Sequence, residues 1–288
     1  MIDDCTHEIQ INDINRLNII HVAGTKGKGS TCAFIECLLR TRGLKTGLYT
    51  GPHLIGPEER IRIGFSPLNQ ELFATYVHKV YETLRNEEPT PKFLQLLTLV
   101  SFHAFILAGV DVAIYETHHG GEYDATNFIT KPAVTAITVI DYDHTDTLGE
   151  SLDRIAWHKA GILKPNAPAF SVSQQPEAAS VLQARAVSKG VQLEFVRPSS
   201  KLPADVPALR PEVQLQNFSL ARAVCDRFLQ QTHTDRLTVE VVERALRTFD
   251  WPGRFQTIRV GTVTWFLDGA HNELSLNKCA DWFAKNSR

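Results

Sequence analysis

No Cys-x-x-C pair occurs in the chain, and its five cysteines (Cys5, Cys32, Cys37, Cys225 and Cys279) form an odd set. That argues against a disulfide framework and a zinc knuckle, and makes a reducing compartment the simplest reading. Neither sign of charge is in excess: 30 lysines and arginines face 32 aspartates and glutamates, a formal net charge of -2. Without a global basic field to hold nucleic acid or an anionic membrane, any anion must be bound locally. Long apolar runs are missing too; none approaches the roughly 18 residues of a membrane span. Residues 1–8 are acidic and carry neither an apolar stretch nor the arginines of a transit peptide. The expectation is a cytoplasmic protein with no nucleic-acid and no membrane partner. Internal repeats and low-complexity tracts are also absent.

What is present is the ordinary balance of a globular protein, 43% hydrophobic and 22% charged over 288 residues. This length favours two domains, or one large domain with an appendage. Apolar runs of strand length alternate with helix-period segments, as in a mostly parallel sheet flanked by helices. Strands are expected at 17–23, 45–50, 110–116, 133–140, 169–172 and 191–196. The spacing predicts helices over 30–42, 70–85, 91–107, 151–160, 177–189, 217–231 and 239–249, with Gly43, Gly161 and Gly190 as stops. Residues 51–69 read as a loop rich in glycine, proline and charge. Trp251-Pro252-Gly253 breaks the alternation, so the chain divides into 1–252 and 253–288. The last 36 residues, a hairpin across Gly261 and a helix near Ser275, are short for an independent domain.

Chemistry concentrates at Gly24-Thr25-Lys26-Gly27-Lys28-Gly29-Ser30-Thr31, which follows the first strand and opens a helix. Glycines let backbone N–H groups converge on phosphate oxygens, the helix N-terminus adds partial positive charge, and Lys28 neutralises. Ser30 or Thr31 can meet the phosphate or its metal. Gly29 separates lysine from serine, a departure from the strict G-x-x-x-x-G-K-[ST] spacing. Glu116 ends a strand, where α/β sheets present ligands, a reading that outweighs a merely solvated strand-end charge. His144 follows another strand and by itself reads as a hydrogen-bonding loop histidine. Lys159, with His158, lies in a helix's last turn, where basic residues complement the dipole. Tandem His118-His119 suits positioning better than two ligands on one ion. Cys32, Cys37 and the aromatic stretch 93–105 read as core.

Taken together and in order, the phosphate loop, Glu59-Arg60-Ile61-Arg62-Ile63, Gly120-Gly121-Glu122-Tyr123-Asp124-Ala125-Thr126-Asn127, Asp143-His144-Thr145, Trp157-His158-Lys159-Ala160-Gly161, Trp251-Pro252-Gly253-Arg254 and Asp268-Gly269-Ala270-His271-Asn272 resemble the folylpolyglutamate synthases. The likeness is to their eukaryotic branch, which groups with the bacterial cell-wall ligases of the Mur type. It implies a P-loop ATP-binding domain over 1–252, and at 253–288 the start of an incomplete C-terminal α/β domain. It also implies a ligase that joins L-glutamate to the γ-carboxyl of a reduced folate's glutamate tail, using ATP and Mg2+ through an acyl phosphate. By resemblance Glu116, His144 and a carbamylated Lys159 would be metal ligands, and these three with Lys28 the catalytic set. Gln214, Asn217, Arg254, Asp268 and His271 would contact ATP, the last three from the second domain.

Four features depart from the family. Gly51 stands where a serine usually helps hold the ATP-linked magnesium, His118-His119 replace small or apolar residues, and Val213 replaces a histidine. Against the family pattern the chain is also short at both ends. Two further readings therefore stay open: a diverged ligase acting on another carboxylate, and a degenerate nucleotide-binding protein without ligase activity.

Overall fold

The computed structural model describes residues 11–86, 88–198, 206, 209, 211–233, 236–270 and 273–287. A short helix α1 (Ile11–Asn15) leads into β1 (Ile19–Ala23), α2 (Lys28–Thr41) and β2 (Thr46–Tyr49). Next come β3 (Ile61–Ile63), β4 (Ser66–Pro67), α3 (Gln70–Leu84), α4 (Phe93–Ala108), β5 (Val112–Glu116) and β6 (Val134–Ile137). The chain continues through α5 (Thr145–Leu148), α6 (Leu152–Lys159), β7 (Ala169–Val172), α7 (Pro176–Ser188), β8 (Leu193–Val196), α8 (Glu212–Gln231) and α9 (Val239–Thr248). Strands β9 (Gln256–Val260) and β10 (Val263–Leu267) and helix α10 (Glu273–Asn286) complete it.

Eight strands form one sheet in the order β4-β3-β2-β5-β1-β6-β7-β8. The pairings from β2 to β8 are parallel, while β3 and β4 add an antiparallel edge. Every residue of β1, β5 and β6 is buried, which is why these strands read as continuous apolar runs rather than alternating ones. Alternate side chains still divide between two faces. Ile20, Val22 and Ile114 pack with Phe34 and Leu38 of α2 and Phe218 and Val224 of α8. On the other face Ile19, Ala113 and Tyr115 meet α4 through Phe102 and Phe105. Ala23 and Ile137 meet α6 and α7 through Ile155 and Leu182.

The differences from the sequence reading lie in short or polar elements. Residues 51–69 are not all loop: a single 3-10 turn (Pro57–Arg60) feeds β3 and β4, turned tightly by Gly64 (φ 56°) and Phe65 (φ 74°). Two- and three-residue strands carry too little periodicity to be read. Helix α8 starts at Glu212, five residues before 217: Pro211 suits a helix start, and Glu212, Gln214 and Gln216 leave the first turn and a half without an apolar stripe to read. Cys32, Cys37 and Cys225 are buried and free, and Cys279 is free and half-buried; Cys5 lies outside the described residues. Among the described residues no helix is long and apolar enough to cross a membrane.

The hairpin of β9 and β10 is a separate two-stranded sheet. It packs on α10 through Phe266 and Trp282, whose rings meet edge to face at 5.3 Å.

Candidate active site

Strand β1 ends at Ala23, and the chain then makes a turn that only glycine can make at two points. Gly24 (φ 148°) leaves no room for a Cβ beside the Thr138 side chain. At Gly27 (φ 87°) the amide of Asn217 fills the space where a Cβ would stand. Thr25 N–H donates to the Val139 carbonyl at 2.8 Å, and Thr25 Oγ1 donates to the Asp141 carbonyl at 3.0 Å, so the loop is pinned to the chain beyond β6. Helix α2 has no side-chain cap. The amides of Lys28, Gly29 and Ser30 precede its first turn's bond, given by Thr31 N–H to the Gly27 carbonyl at 2.9 Å. Those open donors at a helix N-terminus form a cradle for an anion. Thr31 Oγ1 is fully buried without a partner, a cost that a bound oxyanion or metal would relieve.

Glu116 reaches this cradle from the end of β5. It is buried, and its Oε2 accepts the Gly51 N–H at 3.1 Å. Burial pushes its carboxyl above the usual range, opposed by Lys28, the Gly51 amide, Arg254 and His118. The fold thus brings Lys28, Glu116 and Arg254 together from three distant parts of the chain. Gln214 and Asn217 are buried at the start of α8, joined by a 3.0 Å bond from Asn217 Nδ2 to Gln214 Oε1. Asp268 Oδ2 accepts the Phe255 N–H at 2.7 Å and so holds the turn that carries Arg254. Gln214, Trp251 and Arg254 line a cleft of about 1020 Å³ that runs on to the hairpin and α10. His271 lies outside the described residues.

Lys26 is tied to Asp143 by an ion pair at 2.9 Å. The same carboxylate accepts the His144 N–H at 3.1 Å, and His144 adopts a left-handed conformation (φ 52°) that starts α5. The His144 side chain is exposed, its ring edge-on to His119 at 4.4 Å. Lys159 is buried and donates to the Gly24 carbonyl at 2.8 Å. Burial, reinforced by Lys28, holds its amine well below the usual lysine range.

Among the described residues no three His, Cys, Asp or Glu side chains converge on one point as a ready-made metal cage. The donor chemistry nevertheless suits magnesium on the Glu116 side. A buried carboxylate and unpartnered hydroxyl oxygen are hard ligands, and magnesium completes its shell with phosphate oxygens and water.

Sequence reasoning missed a hydrogen-bonded network beside Glu116. Tyr49 OH lies 2.7 Å from His118 Nε2; His118 Nδ1 lies 3.4 Å from Asp124 Oδ1, near enough for charge attraction but without hydrogen-bond geometry. Asp124 also accepts from Thr126 N–H (2.9 Å), Thr126 Oγ1 (2.7 Å) and His119 N–H (2.7 Å). Burial opposes its ionisation, but His118 and these donors hold its carboxyl down to about 2. Because the Thr126 proton goes to Asp124, its oxygen accepts from His21 Nε2 at 2.7 Å. The tandem histidines were the visible signal; their partners come from β1, β2 and the Gly-Gly loop and are not adjacent in sequence.

An uncapped helix after a buried parallel strand, with a strand-end carboxylate set against its loop lysine, defines a P-loop nucleotide-binding domain. The Mur ligase middle domain model matches residues 22–205. Folylpolyglutamate synthase of Neurospora crassa is 42% identical over 296 residues, covering 95% of this chain and 56% of that protein. Mitochondrial folylpolyglutamate synthase of Homo sapiens is 39% identical, with 96% and 52% covered. Among solved structures, a mutant of L. casei FPGS superposes with a TM-score of 0.87 at 30% identity, over 95% of this chain and 73% of that one. An FPGS-AMPPCP-folate complex gives 0.83 at 28%, over 96% and 74%. The chain belongs to the folylpolyglutamate synthase family of Mur ligases. It spans about half the length of the curated relatives it matches.

Proposed function

We propose that the chain carries the nucleotide site of an ATP-dependent ligase that adds L-glutamate to the γ-carboxyl of a reduced folate's glutamate tail. The observation that carries this reading is the juxtaposition of Lys28 and Glu116 at the uncapped start of α2. Relatives of this fold have been solved as AMPPCP, AMPPCP-folate and ADP complexes. In this reading 1–252 is the ATP-binding domain and 253–288 the start of a second domain that contributes Arg254, Asp268 and His271.

A carboxylate does not accept an amine at neutral pH, since oxide would have to leave. ATP first converts it to an acyl phosphate; the amine of glutamate attacks, and phosphate departs from a tetrahedral intermediate. The amides of Lys28, Gly29 and Ser30 hold the phosphates, and the Lys28 ammonium offsets charge accumulating as the terminal phosphoryl group moves. Arg254 adds a second cation from the opposite wall, with Asp268 fixing its turn. Gln214 and Asn217 brace the loop and face the nucleotide. Glu116, with the Ser30 or Thr31 hydroxyl, would hold magnesium, which supplies Lewis-acid charge neutralisation when bound. Lys159 and His144 would serve a second ion. The desolvated amine of Lys159 is suited to carbamylation, because only the neutral amine attacks carbon dioxide.

Incubation with magnesium ATP, reduced folate and glutamate, following product mass and ADP together, tests the reading. A folate product heavier by one glutamate supports it. Amide formation without folate supports a diverged ligase, and nucleotide binding without turnover a non-catalytic role.

A further inference from the structure

The space beside Gly51 is filled from elsewhere in the chain. A Cβ at position 51 would lie 2.6 Å from Arg60 Nη1 and 3.3 Å from its Cζ, so the guanidinium occupies the space a side chain would take. Arg60 is 91% buried, its exposure being 9%, and its Nε donates to His53 Nδ1 at 2.9 Å.

Among the described residues no carboxylate pairs with it. The nearest acids in sequence are engaged elsewhere. Glu59 accepts the Leu54, Ile55 and Gly56 amides at 3.1, 2.8 and 3.0 Å, and Glu58 accepts from Gln70 at 3.2 Å. A buried guanidinium without an acidic partner is costly unless an anion arrives to meet it.

The geometry also says which anion. Gly51 N–H is bonded to Glu116 Oε2, and Glu116 responds to Lys28. A Cβ on Gly29 would lie 3.3 Å from the same Glu116 oxygen, so the Arg60 guanidinium is separated from the start of α2 by Gly51 and the Glu116 carboxylate. We infer that Arg60, in the niche opened by Gly51, binds the terminal phosphate of the nucleotide. This deepens the nucleotide reading above and rests on it. A guanidinium suits two oxygens of one phosphoryl group better than an ammonium does.

The test is calorimetric titration of the full chain with ATP and with ADP at fixed magnesium, folate absent. Arg60→Gln should weaken ATP about tenfold and leave ADP within about twofold, as expected for one charge-assisted bond to the outer phosphate. Arg60→Lys should recover part of the loss. Gly51→Ala leaves Arg60 in the chain but pushes its guanidinium aside, and should reproduce the selective loss of ATP affinity. Equal losses for ATP and ADP, or none, would overturn the inference. So would a loss confined to a parallel titration with reduced folate, which would assign Arg60 to the substrate carboxylate. If the unmodified chain binds neither nucleotide, the wider reading fails with it; binding that is indifferent to Arg60 removes this inference alone.

Discussion

Glu116 and Lys159 carry the wrong charge for where they sit. Each is buried, and burial drives each toward its neutral form. For Glu116 the remedy is a cation, so Glu116→Gln should fold normally yet bind nucleotide with an affinity indifferent to magnesium. Titrations with and without the ion would show this, and a retained magnesium dependence would remove Glu116 as its ligand. For Lys159 burial favours the neutral amine, the form that carbon dioxide can modify, with Lys28 and Lys26 near enough to offset a carbamate's charge. With labelled bicarbonate, a carbamate carbon signal should appear in the NMR spectrum of the unmodified chain and be missing from Lys159→Arg. A Lys28→Ala variant should lose nucleotide binding and turnover while its melting temperature stays close to the parent's, since among the described residues the hydrogen bond of the Lys28 ammonium is a 3.4 Å contact to the Thr25 carbonyl.

Elements explain which parts of the site could be read in advance. The phosphate loop was legible because strand, glycines, lysine and helix are contiguous, and Glu116 because it ends a buried apolar run. The meeting of Arg60 with Gly51 was not, since it depends on the 3-10 turn and the two short strands of an apparent loop. Nor was the bridge from Tyr49 through His118 and Asp124 to Thr126 and His21, which spans β2, the turn after β5, and β1. The buried end of that chain, His21, sets a pH dependence. Burial lowers the His21 imidazole from 6.5 to about 3, and nearby Asp124 only partly opposes this. Its folded value lies below its unfolded one, so the unfolded chain binds the extra proton. The contribution to stability is complete above about pH 6.5 and declines toward pH 3, by roughly 1.4 kcal/mol per unit within that window. Denaturation from pH 8 to pH 4 should show this slope for the parent and a shallower one for His21→Asn. Identical slopes would rule out His21 as its origin.

Across the whole molecule, the phosphate loop meets the chain that leads into the hairpin through Trp251. A Cβ on Gly29 would touch the Trp251 ring at 3.6 Å, and the ring packs on Phe65 and under the Arg62 guanidinium. A nucleotide in the cradle would therefore contact both the α2 N-terminus and the segment bearing Arg254. Any ligand that binds only the folded state stabilises it by mass action, about 2.7 kcal/mol at a hundred times its dissociation constant. For a domain of this size that corresponds to a rise in Tm of roughly 5–10 °C. Trp251 should also report binding directly: nucleotide ought to change the intrinsic fluorescence of the parent, and Trp251→Phe should abolish most of that change while preserving the rise in Tm. A fluorescence change that survives the substitution would mean that the nucleotide is sensed by another tryptophan, such as Trp282 in the cleft beside the hairpin, and that the bound state reorganises the hairpin and α10 more than the loop.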